Sequence, residues 1–279
     1  MKDKSFSTIT KDEFIKKLNQ KGKVKYYNEI EKLKNNCNDE FKFRINDICM
    51  LYFEKRYYHN PEIQKIIPWV NIFWNHSKFN YILSILKNEF DEFILISNEY
   101  DLQQNCRKFI SSYQYYCKLL DVKENGVRKN NEENIINFKQ SKNDLINLRI
   151  KNVDDNNVAN SLNIEMDEYK NDDADSKNIY CYVKEGKIIS ACSIKKIQPV
   201  DKLFVYRILN AYTLPEFRNN GIGYNVVQSA IVGEIDSKSY LFYDVYQAQE
   251  NKASIGLAQK LNMEKIHSSY MYFISDNSN

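Results

Sequence analysis

Apolar residues between Lys11 and about Phe53 recur at helical intervals, as Phe14 and Leu18 and then Ile30 and Leu33, with Lys and Glu between them. That spacing predicts helices. The stretch from Trp69 to Phe90 repeats it, with Trp69, Ile72, Phe73, Phe79, Ile82, Ile85 and Leu86 suited to buried helix faces, and Pro61 and Pro68 bracket the short piece before it. Glu92 to Ser97, EFILIS, is a short apolar run that predicts a buried strand; a helical stretch near Leu102 to Ile110 and a strand from Tyr113 to Leu120 follow. The first half is therefore expected to be mixed and helix-rich.

The polar string ENGVRKNNEEN between Lys123 and Asn134 has no apolar periodicity and contains Gly126, as a surface linker would. It divides the chain into an N-terminal domain over residues 1–125, a linker over 126–142 and a C-terminal domain over 143–279. In the latter, Leu148 to Val153 alternates as a strand, Asp154 and Asp155 can cap a helix running towards Tyr169, and Ile179–Lys184 and Lys187–Ile197 form two strands joined by a tight turn at Glu185-Gly186. Leu203–Thr213 is a third long strand. After it come a helix from about Tyr224 to Ile235, a strand over Tyr240–Val245, a helix over Lys252–Leu261 and a last strand near Tyr270 to Phe273. A strand, helix, strand unit of this size closes as a right-handed parallel crossover. The fold class is α/β, with a mixed sheet of antiparallel hairpins leading into one parallel pair.

Composition narrows the function. A formal charge of +3 gives no field that implies nucleic acid, and no apolar run is long enough to span a membrane. Richness in Asn, Lys, Ile and Tyr resembles translation of an AT-rich bacterial genome, so the 21 tyrosines are mostly packing. The six cysteines form no CxxC pair and the three histidines no ligand spacing, so neither a metal nor a disulfide framework is expected, and the protein is expected to be cytoplasmic.

Only seven glycines occur in the chain, yet Gly221 and Gly223 fall two apart between a strand and a helix. Glycine permits positive φ and close backbone approach, and the first turn of a helix offers unpaired N–H groups at a positive dipole end. A diphosphate suits such a turn. The string is not GxGxxG, because Val226 takes the third glycine position, and no GxxxxGK[S/T] occurs, so dinucleotide and P-loop sites are excluded. A coenzyme A diphosphate remains.

The segment AYTLPEFRNNGIGYNVVQSAI resembles motif A of the GNAT N-acetyltransferase superfamily, with its R/Q-x-x-G-x-G/A signature complete from Arg218 to Gly223. Downstream, LFYDVYQAQENKASIGLAQKLNMEK is similar to motif B of that family, where an Asn, here Asn251, opens the helix beside the pantetheine. The likeness covers roughly Leu148 to Phe273. The first half more loosely resembles glycine N-acyltransferase-like members, whose N-terminal half is a degenerate copy of the same fold.

The resemblance implies acetyl-CoA as cosubstrate and direct attack by the primary amine of a small-molecule or amino-acid-like acceptor in a ternary complex; a homodimer is the candidate assembly. It implies that Arg218, Asn219, Asn220, Gly221, Ile222 and Gly223 hold the pyrophosphate, that backbone N–H groups around Tyr212, Thr213 and Leu214 meet the oxyanion, and that Asn251 and Ser254 line the pantetheine. The family's usual tyrosine acid, seven residues after the motif B Asn, is Ala258 here, which leaves Tyr243, Tyr246 or another tyrosine as candidates. No base is evident on the strand before the turn, whose only interior charge is Arg207. Glu165, Asp167, Glu168, Asp172, Asp173 and Asp175 crowd a segment that borders the acceptor cleft in the resembling family, and would attract a cationic amine. A CoA-binding module without turnover and a protein-binding adaptor are the competing readings.

Overall fold

The computed structural model describes residues 6–35, 41–46, 49–60, 63–74, 79–98, 101–102, 108–121, 134–137, 177–247 and 251–275. The expected linker, the strand over 148–153, the helix towards Tyr169 and the acidic segment lie outside these residues. The chain packs as two compact units: Met1–Tyr115 with Tyr246–Glu250 and Lys265–Asn279, and Tyr116–Val245 with Asn251–Glu264.

The first unit runs β1 (Ser7–Ile9), α1 (Lys11–Gly22), α2 (Tyr27–Asn35), β2 (Lys42–Ile45), β3 (Cys49–Asn60), β4 (Ile63–Trp74), α3 (Phe79–Glu89), β5 (Glu92–Asn98) and the start of β6 (Lys108–Leu120). It also takes nearly all of β12 (Glu264–Ser275), which pairs antiparallel with β5 from Ser269↔Asn98 to Ser275↔Glu92. Its strand order is β1-β2-β3-β4-β5-β12, and β4 and β5 are parallel. Helix α1 starts on a reciprocal cap: the Glu13 N–H donates to Thr10 Oγ1 at 3.2 Å and the Thr10 N–H to Glu13 Oε2 at 2.9 Å. Phe14, Leu18, Ile30 and Leu33 of α1 and α2 pack on Phe43, Met50, Tyr52 and Phe73 on one side of the sheet. Ile82 and Leu86 of α3 pack on Leu51, Val70, Ile72 and Leu95 on the other.

Three sequence expectations are corrected here. Residues 42–45 and 49–53 are strand rather than helix, and so are Trp69, Ile72 and Phe73. Because β3 and β4 are covered on both faces, their apolar residues form runs without the in-out alternation that marks a half-exposed strand. Phe109 and Ile110, expected at the end of a helix, begin β6, while the middle of that expected helix lies outside the described residues.

In the second unit the sheet order is β11-β10-β9-β8-β7, with the end of β6 beside β11. Strands β7 (Ile135–Asn137), β8 (Lys177–Lys184), β9 (Lys187–Val200) and β10 (Leu203–Thr213) are antiparallel neighbours, whereas β10 and β11 (Ser239–Gln247) are parallel and joined through α4 (Ile222–Glu234). Helix α5 (Lys252–Lys260) follows β11. The turn at Glu185-Gly186 has φ of 51° and 75°, as a two-residue hairpin turn requires. Val226, Val227, Ala230 and Ile231 of α4 pack with Tyr180, Cys192, Ile194, Tyr206 and Ile208 of the sheet and with Ala258 and Leu261. The hairpin, the mixed sheet, the parallel pair and both helices of this half match the sequence expectation.

Candidate functional site

The parallel ladder between β10 and β11 runs from Phe204↔Ser239 to Ile208↔Tyr243 and stops, although β10 continues to Thr213 and β11 beyond Tyr243. Leu209–Thr213 are thereby released from β11 while β9 still holds their other edge, through Tyr212↔Ala191 and Thr213↔Ser190. A register shift between Leu209 and Tyr212, with Asn210 at φ 48°, bends β10 at the point of release. Ser190 fixes the strand end: its Oγ donates to the Tyr212 carbonyl at 3.0 Å and lies 2.9 Å from Thr213 Oγ1. The Leu214 N–H donates to the Ile189 carbonyl at 2.9 Å and is already engaged, and in the same register the Tyr212 N–H also faces β9, which leaves the Thr213 N–H on the released side. Nothing in the sequence marks Ser190; only the strand register brings it here.

The glycine turn follows directly. Pro215–Phe217 make one 3₁₀ turn, Asn219 takes φ 66°, and Gly221 stands at φ 78°, ψ −6° as the N-terminal flank of α4. Among the described residues no side chain caps that helix end, so the N–H groups of its first turn keep their donors facing outward. With glycine at the cap position the missing side-chain cap costs only about a few tenths of a kcal/mol, whereas each fully buried Val or Ile on the inner face contributes roughly 1.5–3 kcal/mol. Packing therefore holds the helix in place with its end left open. Gly223 sits against the end of β10, where an added Cβ would come within 2.7 Å of Thr213 Oγ1. Arg218 is exposed, yet its Nε donates back to the Thr213 carbonyl at 2.9 Å and its guanidinium lies 5.3 Å from the Tyr212 ring centre. Strand end, turn and helix start are thus one tied assembly with a positive face. An uncapped helix start, a left-handed glycine and a second glycine with no room for a side chain fit a diphosphate cradle.

Asn251 caps α5, its Oδ1 accepting from the Ser254 N–H at 3.1 Å. Tyr243 is buried in the core of the second unit; burial pushes its phenol up from its ordinary range, while a hydrogen bond with the Ser254 side chain pulls the other way. Ala258 is fully buried in the same core, so the position at which the resembling family carries its acid faces packing. Tyr246 is exposed and packs in the first unit, with its ring 5.0 Å from that of Tyr113. Among the described residues no group of His, Cys, Asp and Glu side chains gathers as metal ligands, and no helix is long and apolar enough to cross a membrane.

On the face of the sheet opposite α4 lies a pair of charges. Tyr206 and Ile208 turn towards α4, so Arg207 turns away; Tyr243 also turns towards α4, and Asp244 therefore shares the face of Arg207. Arg207 Nε and Asp244 Oδ2 are 3.6 Å apart, and both side chains are partly open to solvent. Lys195 of β9 stands opposite Arg207 in the antiparallel register.

Residues 149–263 match the model of the acetyltransferase (GNAT) family. No curated protein sequence matches the chain. Among solved structures, a GCN5-related N-acetyltransferase from Sphaerobacter thermophilus is similar with a TM-score of 0.58 at 8% identity, over 98% of this chain and 96% of that one. The GCN5-related glucosamine N-acetyltransferase region of a fungal multi-domain β-N-acetylglucosaminidase gives 0.52 at 11% identity, over 97% of this chain and 38% of that one. At such identities the likeness is one of fold.

Proposed function

We propose that the chain, whose residues 149–263 match the model of the acetyltransferase (GNAT) family, is an acetyl-CoA-dependent N-acetyltransferase whose second unit binds the cosubstrate and carries the reaction. The observation that carries this reading is the tied turn from Arg218 to Gly223 at the mouth of the opened β10–β11 pair. Backbone N–H groups of Gly221, Ile222 and Gly223 hold the pyrophosphate, Asn251 and Ser254 border the pantetheine arm, and the thioester lies where β10 and β11 separate.

Proximity supplies much of the rate: holding amine and thioester together converts a bimolecular encounter into a step within one complex. The amine nitrogen forms its bond to the thioester carbonyl carbon, the carbon–sulfur bond breaks, and the sulfur leaves with the electron pair. The amine proton passes to solvent and the thiolate takes a proton, giving amide and free thiol. The N–H group of Thr213, on the released side of β10, stabilises the oxyanion, an effect worth about 3–4 kcal/mol per donor in acyl transfer. Of the two tyrosine candidates, Tyr246 belongs to the first unit and Tyr243 is buried in the core of the second, so neither is assigned to protonate the thiolate.

One observation favours a second reading, CoA binding without turnover: Tyr243 and Ala258 are both buried in the core. Thiol release from acetyl-CoA across a panel of primary amines separates the two. Amine-dependent release supports the transferase; tight binding of CoA with no release for any amine establishes the binding module instead.

A further inference from the structure

Ser190 is buried and stands opposite Thr213 in the β9–β10 register. Its single hydroxyl hydrogen goes to the Tyr212 carbonyl at 3.0 Å, so the 2.9 Å contact between Ser190 Oγ and Thr213 Oγ1 takes its hydrogen from Thr213. The Tyr212 carbonyl belongs to the peptide group whose other end is the Thr213 N–H. That peptide is trans and planar, so its C=O and N–H point in opposite directions. With the carbonyl turned to β9, the Thr213 N–H points to the released side of β10. One directed chain results: Thr213 Oγ1 donates to Ser190 Oγ, Ser190 Oγ donates to the Tyr212 carbonyl, and the same peptide presents the Thr213 N–H beyond the end of the β10–β11 ladder.

We propose that Ser190 is a positioning residue for acyl transfer, orienting and polarising the Tyr212–Thr213 peptide whose N–H meets the oxyanion, an inference that rests on the acyltransferase reading above. Ser190 acts through the peptide and not on substrate, since its buried hydroxyl is committed to Tyr212 and Thr213. A hydrogen bond accepted by an amide carbonyl strengthens the one donated by the N–H of that amide, by roughly 10–30% per bond in a condensed phase. Direction matters as much, because a donor stabilises an oxyanion when it is aimed beforehand at the place where charge develops. The ladder to β11 has ended by Thr213, and the pairing with β9 is shifted between Leu209 and Tyr212. The angle of this peptide is therefore set by side-chain hydrogen bonds and one edge of ladder. Arg218 Nε donates to the next carbonyl, that of Thr213, at 2.9 Å. The donor peptide is thus tied to β9 on one side and, one peptide further on, to the glycine turn.

The test uses the full chain and two readouts: thiol release with a primary amine that is turned over, and infrared spectra of bound acetyl-CoA carrying an isotope label at the thioester carbonyl. Ser190→Ala is expected to lower kcat about ten-fold or more, with KM for acetyl-CoA and CoA affinity within two-fold of the parent. It is also expected to move the bound carbonyl band back towards its frequency in water. Thr213→Val, which removes the first donor of the chain, should change kcat and the band in the same direction by less. In the unaltered protein the band should already lie below its frequency in water, and a band at the water position overturns the proposal without any variant having to fold. Unchanged kcat and band in folded Ser190→Ala also overturn it, as does a raised KM with kcat unchanged, which would make Ser190 a packing residue. CoA binding with no amine turned over removes this assignment and leaves the binding module standing, whereas failure to bind CoA removes the acyltransferase reading itself.

Discussion

Thr213 Oγ1 occupies the space in which a side chain on Gly223 would have to begin, since a Cβ there would lie 2.7 Å from it. The strand end and the helix start touch through that missing atom. Gly221, two residues earlier, has nothing within 4 Å of its absent Cβ but holds a left-handed φ of 78°. One glycine is required by space and the other by conformation.

Gly223→Ala is accordingly expected to push the helix start off β10 and weaken CoA binding ten-fold or more. Thr213→Ala, which removes the obstructing oxygen, should restore part of the loss. A double-mutant cycle on CoA affinity should give a coupling of about 1 kcal/mol or more, as contacting residues do. Additive effects would mean that the contact does not shape the turn.

Gly233 poses the same problem at the far end of the helix, where an added Cβ would run into the hydroxyl of Tyr180 and lie 3.0 Å from its Cζ. That hydroxyl donates to Glu234 Oε1 at 2.8 Å and accepts from Asn137 Nδ2 at 2.8 Å, while Asn178 Nδ2 also donates to Glu234. Gly233→Ala should therefore destabilise the second unit by about 1–3 kcal/mol through overpacking, read as a lower urea midpoint. Tyr180→Phe in that background should recover some of it by removing the clashing oxygen.

His267 gives the first unit a pH dependence. It is buried between the rings of Tyr26 and Tyr115, with Nε2 3.2 Å from Asn98 Oδ1. Burial, helped by the charge of Lys25, pushes its pKa down from 6.5 to about 3. A folded-state pKa below the unfolded one means that the unfolded chain takes up the proton first, so stability is full above pH 6.5 and falls as the pH drops towards 3. The loss approaches about 1.4 kcal/mol per pH unit within that window. Urea midpoints at pH 7 and pH 5 should show it for the parent and show a smaller difference for His267→Gln.

Much of the candidate site was legible in the sequence because glycine is scarce: two of seven glycines fall two apart between a strand and a helix, and few backbones other than a ligand-binding turn require that. Asn251 as a helix cap followed from its place before Lys252–Leu261, and the structure puts it there. The first half was less legible. Strands β3 and β4 are covered on both faces, and Trp69, Ile72 and Phe73 happen to fall at helical intervals within one of them. Arg207 was visible as a lone charge in β10, but its relation to Asp244 depends on the parallel register, which no local pattern encodes.

The two units differ at the corresponding place. In the first, the parallel pair stays joined from Trp69↔Ile94 to Phe73↔Asn98, one residue short of the end of β4, and the Asn98 side-chain amide donates to the Ile72 carbonyl at 3.1 Å. The sequence between Trp74 and Phe79, NHSK, contains no glycine. A single CoA per chain is therefore expected, and a stoichiometry of two would require a second cradle in the first unit.

Calorimetric titration of acetyl-CoA into the parent protein and into Gly221→Trp, which keeps the rest of the chain but forces a bulky side chain onto the left-handed position, tests the central claim most directly. The parent is expected to bind a single equivalent and the variant to lose binding at least a hundred-fold while remaining folded by circular dichroism. Unchanged affinity in the folded variant, or no binding by the parent, would contradict the assignment of Arg218–Gly223 as the diphosphate cradle.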